Sequence, residues 1–238
     1  RPWVLDPDFT IVESARAEAT GYSFPSGHTQ NAVGTFGGIA RATKRHCLRW
    51  VCVVIFVLVS FSRMYLGVHT PLDVGVSFVI AAVLVFAIYP LMRRADRYPR
   101  LMAGLLASMV LLSAAYLTFT LVYPFPPDID STNLASGVEN GWKLLGATLG
   151  IALAGWLDRQ HVRFETKAVW WVQAIKFIVG LALVVALKAG LKAPLIALFG
   201  GSAGPAGAVR YFLVVLAAGV LWPMAFRPLS RLGQRGEG

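Results

Sequence analysis

The residues able to do chemistry lie in two short stretches and at the first position of the chain. In Ser62-Arg63-Met64-Tyr65-Leu66-Gly67-Val68-His69-Thr70-Pro71-Leu72-Asp73, His69 and Asp73 are four residues apart, and they share a face if a helix begins at Thr70 or Pro71. A carboxylate so placed takes the second N–H of the imidazole, fixes its tautomer and raises its basicity, the part of an orienting acid in histidine-based catalysis. Arg63 carries a planar, permanently charged fork that suits phosphate oxygens. The other stretch is Pro25-Ser26-Gly27-His28. Pro25 stops the preceding segment, Ser26 is a good N-cap, and Gly27 leaves the first N–H groups of a helix uncovered, which makes an anion site. His28 stands on that first turn. Arg1, in Arg1-Pro2-Trp3, supplies another guanidinium. The set lacks the His and carboxylate spacing of a metal site. It suits metal-free phosphoryl transfer: one histidine attacks phosphorus, the other protonates the leaving oxygen, and arginines with backbone N–H groups hold the charge on the equatorial oxygens.

These residues need elements that bring them to one level, and composition says of what kind. Of 238 residues, 56% are hydrophobic and 14% charged, where a soluble domain carries about 25% charged residues. Uncharged apolar stretches of roughly 18 residues or more recur, each long enough for a transmembrane helix. The chain reads as all-α, a polytopic transmembrane helical bundle of about seven spans: residues 27–43, 49–67, 72–92, 101–122, 138–157, 168–188 and 208–226. The first span holds Gly34, Gly37 and Gly38, which places it inside the bundle, where small residues allow close helix contact. Residues 1–25 read as polar and irregular, with Asp6, Asp8, Glu13 and Glu18, and residues 193–206 read as a loop in preference to a re-entrant or interfacial piece.

Basic residues follow alternate spans: Arg41, Lys44, Arg45 and Arg49; Arg93, Arg94, Arg97 and Arg100; Arg159, Arg163 and Lys167; Arg227, Arg231 and Arg235. They make up more than half of the 22 lysines and arginines. The positive-inside rule puts them in the cytoplasm, and so puts residues 1–25, the Pro25–His28 stretch, the turn at His69 and the proline-rich loop 124–133 outside. The net charge of +10 then belongs to membrane topology and not to nucleic acid. Residues 1–21 contain no positive stretch followed by an apolar core, the pattern of a cleavable signal. Cys47 and Cys52 form neither a disulfide framework nor a metal pattern and read as packing residues.

The motifs resemble those of the type-2 phosphatidic acid phosphatases, the membrane branch of the superfamily that includes the vanadium haloperoxidases. That family carries Lys, six residues and Arg-Pro; then Pro-Ser-Gly-His; then Ser-Arg, five residues, His, three residues and Asp. Here the second motif is complete from Pro25 to His28, and the third is complete as Ser62-Arg63, His69 and Asp73. Of the first, Arg1-Pro2 is present, and its lysine position lies before residue 1. The resemblance covers roughly residues 1–92. It implies His69 as the nucleophile, Asp73 as its orienting acid and His28 as the general acid. It implies Arg1, Arg63, Ser26, Ser62 and the Gly27 N–H as phosphate ligands, and no cofactor. The family core has about six helices, so its first helices are expected before Arg1, in a longer protein. On this reading residues 1–92 are a phosphatase core and residues 93–238 are additional C-terminal transmembrane helices.

The implied function is hydrolysis of a lipid phosphate or lipid pyrophosphate, such as undecaprenyl diphosphate, phosphatidylglycerol phosphate or phosphatidic acid. The reaction would run through a phosphohistidine at the outer face of a bacterial inner membrane. Its partners would be that lipid and membrane lipids in general, not nucleic acid. The bacterial source follows from a chain rich in Ala, Gly, Arg and Val. The rivals are a phosphotransferase, a lipid transporter module fused to the core, and a non-catalytic lipid-binding relic, which the intact His28, His69 and Asp73 set argues against. His46 and His161 read as interfacial polar residues, and Trp142, Trp156, Trp170, Trp171 and Trp222 as an interfacial belt. Lys176, in mid-span, calls for a partner inside the bundle. Glu139, Asn140 and Lys143, at the start of the fifth span, either cap it or line a headgroup pocket.

Overall fold

The computed structural model describes residues 1–232 apart from 7, 17, 18, 20 and 165–167, so Glu18, Lys167 and Arg235 lie outside the described residues. Among the described residues every regular element is helical. Two short helices, α1 (Pro2–Leu5) and α2 (Glu13–Arg16), interrupt an N-terminal segment expected to be wholly irregular. Then follow α3 (Gly27–Ala42), α4 (His46–Tyr65), α5 (Pro71–Ala95), α6 (Pro99–Val122), α7 (Ser131–Leu157), α8 (Trp170–Gly190), α9 (Lys192–Leu198), α10 (Ala203–Leu216), α11 (Trp222–Met224) and α12 (Phe226–Leu232). Single π turns extend α7 over Asp158–Val162 and join α10 to α11 over Ala217–Leu221.

Among the described residues, five stretches are long and apolar enough to cross a membrane: α4, α5, α6, Trp170–Leu198 and Ala203–Arg231. The chain is thus a polytopic membrane protein. Two of the seven expected spans do not reach that measure. Helix α3 has only 16 residues, and the 27-residue α7 carries Glu139, Asn140 and Lys143 and buries Gly141, Gly146 and Gly150. Helix α7 also starts seven residues before the expected 138, because the Asp130 carboxylate accepts from Asn133 N at 3.0 Å and caps it. Glu139 and Lys143 are therefore not caps; they form an ion pair of 2.8 Å within the helix.

The chain forms two compact units, residues 1–102 and 103–238. In the first, α3 packs on both α4 and α5, which touch each other little, so the glycine-bearing helix is the middle one. Gly37 leaves room for Val85 of α5, whose Cγ2 would lie 3.8 Å from a Cβ there. Helices α4 and α5 are joined by a tight turn in which Gly67 takes φ 71°. A side chain at Gly67 would strike the carbonyl of Thr10, because the N-terminal segment crosses directly over this turn. Val12 N donates to Leu66 O there at 3.2 Å.

In the second unit α10 lies along α7. Gly204 faces the indole of Trp142, Gly146 faces the Ala208 carbonyl, and Gly150 faces Val215. Residues 193–206 are not simply a loop. Helix α9 occupies their first part, Gly200 and Gly201 turn the chain with φ 61° and 88°, and α10 begins at Ala203. Lys176 has the internal partner its position calls for: Nζ donates to Ser230 Oγ at 2.8 Å and sits 4.7 Å above the Phe226 ring. It is the seventh of the 21 residues of α8, nearer the middle of that helix than its end, as its mid-span reading expects. Two tryptophans leave the expected belt. Trp142 fills the space at Gly204, and Trp222 stacks on Gly180 while its Nε1 donates to the Lys176 carbonyl at 2.9 Å. The glycines opposite make room for indoles that would otherwise sit at the interface. Trp156, Trp170 and Trp171 stay exposed near helix ends.

Candidate active site

Three local structures meet at the α4–α5 turn. The first is the start of α5. Thr70 is its N-cap and Pro71 its first residue; Thr70 Oγ1 accepts from Asp73 N at 3.2 Å, and Asp73 Oδ2 accepts from Thr70 N at 2.8 Å. This reciprocal capping box holds the Asp73 carboxylate still. Ser77 Oγ donates to the Asp73 carbonyl at 2.7 Å. His69 precedes the cap and is buried beside the carboxylate. Its Nδ1 faces Asp73 Oδ2 at 3.5 Å, an ion-pair distance and not yet a hydrogen bond.

The second is the start of α3. Ser26 is its N-cap, with Oγ accepting from Thr29 N at 3.5 Å and from Thr29 Oγ1 at 3.1 Å. Ser26 N in turn reaches the Asp73 carbonyl at 3.5 Å, which ties the beginnings of α3 and α5 together. Ser26 is fully buried, whereas Gly27 and His28 on the first turn are exposed, and nothing lies within 4 Å of the Cβ position of Gly27. The bare N–H groups of that turn are open to an anion. The Phe24–Pro25 peptide just before the cap is cis.

The third is Arg1. Its Nε donates to the Gly21 carbonyl at 3.0 Å and its Nη1 to the Val68 carbonyl at 3.0 Å. The same Nη1 lies 3.4 Å from His69 Nε2. A guanidinium only donates, so Nε2 is the accepting nitrogen and the ring proton belongs on Nδ1, toward Asp73. That tautomer leaves Nε2 unprotonated, its lone pair turned toward the Arg1 guanidinium. Burial first, and the Arg1 charge second, hold the His69 pKa below its ordinary 6.5, while Asp73 pulls it upward. Burial likewise lowers the Arg1 pKa, with Asp73 opposing.

Of the eight residues singled out in the sequence, Arg1, His69 and Asp73 stand in one contact chain, with Ser26 joined to it through its backbone. Arg63 and Arg1 both exert their charge on the His28 imidazole, so these three also share one locality. Arg63 Nε donates to Ser62 Oγ at 3.3 Å, and Ser62 Oγ donates to the Val59 carbonyl at 2.7 Å. In this arrangement Ser26 Oγ caps α3, with its own O–H still able to donate, and Ser62 Oγ braces Arg63. Thr70, and the carbonyls of Gly21 and Val68, were not singled out. Thr70 was legible as the first residue of Thr-Pro-Leu-Asp, a capping-box spacing; the carbonyls carry no signal in sequence.

Comparison with known proteins finds matches to both parts of the chain. Residues 1–97 match the PAP2 superfamily, and residues 142–235 match the "PAP2 superfamily phosphatase, transmembrane extension". The chain is 35% identical over 89 residues to undecaprenyl-diphosphatase BcrC of Bacillus subtilis (strain 168), a segment that covers 37% of this chain and 43% of that protein. It is 32% identical over 99 residues to phosphatidylglycerophosphatase B of the same organism, covering 37% of this chain and 47% of that protein. The chain thus spans less than half the length of either relative. No solved structure matches it.

Proposed function

The chain belongs to the PAP2 superfamily, with a transmembrane extension of that family behind its first domain, and from this we propose that it is a membrane phosphatase acting on a lipid phosphate or lipid pyrophosphate. The observation that carries the reading is the contact chain Arg1–His69–Asp73, which presents the imidazole with its proton toward Asp73 and its unprotonated nitrogen toward a guanidinium that a phosphate can draw to itself. Nε2 of His69 attacks phosphorus, and the bond from phosphorus to the leaving oxygen breaks. His28 gives that oxygen its proton. Water, deprotonated by His28, then attacks the phosphohistidine, and phosphate leaves with Nε2 restored. Arg1, Arg63 and the N–H groups at Gly27 hold the oxygens throughout, so the route uses no metal. Asp73 keeps the proton on Nδ1 and balances the imidazolium character that develops.

The relatives' names suggest the substrates to try first, undecaprenyl diphosphate and phosphatidylglycerol phosphate. Basic connections on the other side of the membrane favour a site at the outer face of a bacterial inner membrane. The test is phosphate release from a panel of those two lipids, phosphatidic acid and a soluble sugar phosphate, each with and without EDTA. Release from a lipid is expected, undiminished by EDTA; a loss in EDTA removes the metal-free route. His69→Ala is expected to lower turnover on the order of 10³-fold or more and to abolish the acid-labile phosphoenzyme. Near-normal release by that variant rules the mechanism out.

A further inference from the structure

Arg210 belongs to no motif, yet it is the most demanding residue in the C-terminal unit. It lies within Ala203–Arg231, a stretch apolar enough to span a membrane, and is 8% exposed. A lone arginine in such a helix usually snorkels, laying its stem on apolar surface and its head in water. Arg210 does not. Its Nε is sealed in the protein without a hydrogen-bond partner, and among the described residues nothing accepts from its terminal nitrogens either. Among the described residues, the contact its charge makes is with the ring of its neighbour Tyr211, 5.5 Å away. A buried guanidinium without an acceptor is costly enough that an anion is expected beside it.

The surroundings supply a second cation. Gly207, one turn before Arg210 on the same face of α10, lies against the Lys143 side chain, whose Cγ would be 3.4 Å from a Cβ there. Lys143 is largely buried, and its Nζ spends one donor on Glu139 Oε1 at 2.8 Å. The group Glu139, Lys143 and Arg210 therefore carries one unbalanced positive charge. Its depth is also informative. The 29-residue stretch from Ala203 is about 44 Å long, close to the thickness of a bilayer with its headgroups. Arg210, seven residues in, sits about 10 Å from one end, at the boundary of headgroup and hydrocarbon.

We propose that Arg210, with Lys143 beside it, is an anion site built from residues of the C-terminal unit that takes the phosphate of a membrane lipid headgroup. The planar fork suits two phosphate oxygens, and the depth suits a headgroup better than free phosphate.

The test uses the full chain in a phosphate-free maltoside detergent, titrated with phosphatidylglycerol in one arm and inorganic phosphate in the other. Phosphatidylglycerol is a phosphodiester and offers the histidine site no monoester to cleave. Thermal stability and native mass spectrometry are read for wild type, Arg210→Met, Arg210→Lys and Lys143→Met. Wild type is expected to retain one phosphatidylglycerol per chain and to gain melting temperature from it. Arg210→Met is expected to bind about tenfold or more weakly, and Arg210→Lys in between. The difference between wild type and Arg210→Met isolates this site from any phosphate held by the histidines. If inorganic phosphate alone reproduces that difference, the site takes free phosphate and the lipid assignment falls. If Arg210→Met is stabilised in detergent alone and its response to both titrants equals wild type, Arg210 is merely an uncompensated buried charge and the proposal is overturned. Should Arg210→Met not fold, Lys143→Met and Arg210→Lys carry the same comparison.

Discussion

His69 must be neutral to attack, and its environment sets the pH at which it is. Burial and the Arg1 charge hold its pKa below 6.5, so the nucleophile stays unprotonated further into the acid range than a free histidine. The acid limb of kcat/KM, which reports the free enzyme, is therefore expected below pH 6.5. Asp73 is the charge that pulls the other way. Asp73→Asn should move the limb further toward acid and also lower the plateau, on the order of a hundredfold, because Nδ1 loses the acceptor that selects the tautomer. A limb that moved toward neutral pH in Asp73→Asn would mean that Asp73 is not the opposing charge. These residues were legible because a cap and an i to i+4 pair are local. Ser26 as cap and Asp73 beside His69 follow from spacing alone, and spacing brackets the helix start to Thr70 or Pro71. The duties of the two serines were not legible, since a hydroxyl can bind a ligand or its own helix, and only the chain around it decides.

At the scale of elements the turn between α4 and α5 is the joint on which the site depends. Gly67 is there for two reasons, its φ of 71° and the Thr10 carbonyl that occupies the space a side chain would need. Gly67→Ala is expected to cost about 1–3 kcal/mol. It should also push away the N-terminal segment that carries Arg1, so that KM rises along with the fall in melting temperature. A variant equal to wild type in both would show that the segment does not need this close approach. Periodicity and apolar length located α4, α5, α6 and α8 within a few residues of where they lie. They misjudged α7 and α10, whose starts are set by Asp130 and by the turn at Gly200 and Gly201 and not by hydropathy. A cap can carry a helix well past the edge of its apolar stretch.

For the molecule as a whole, the C-terminal unit depends on backbone-to-backbone fit. Gly146 lies so near the Ala208 carbonyl that any side chain must separate α7 from α10. Gly146→Val should destabilise by about 1–3 kcal/mol or more, as read from a thermal melt of the full chain. An unchanged melt would mean the two helices do not meet there. The sequence by itself determined that the chain is a helical membrane protein, which end of each span is basic, and which residues carry the phosphatase motifs, because composition and short-range spacing are properties of neighbours along the chain. The tertiary structure decided that Arg1 meets His69 across 68 positions, that α3 is the middle helix of its unit, that Lys176 finds Ser230, and that Arg210 is buried without an acceptor. Those facts depend on which faces of distant helices come together, and no local pattern encodes that.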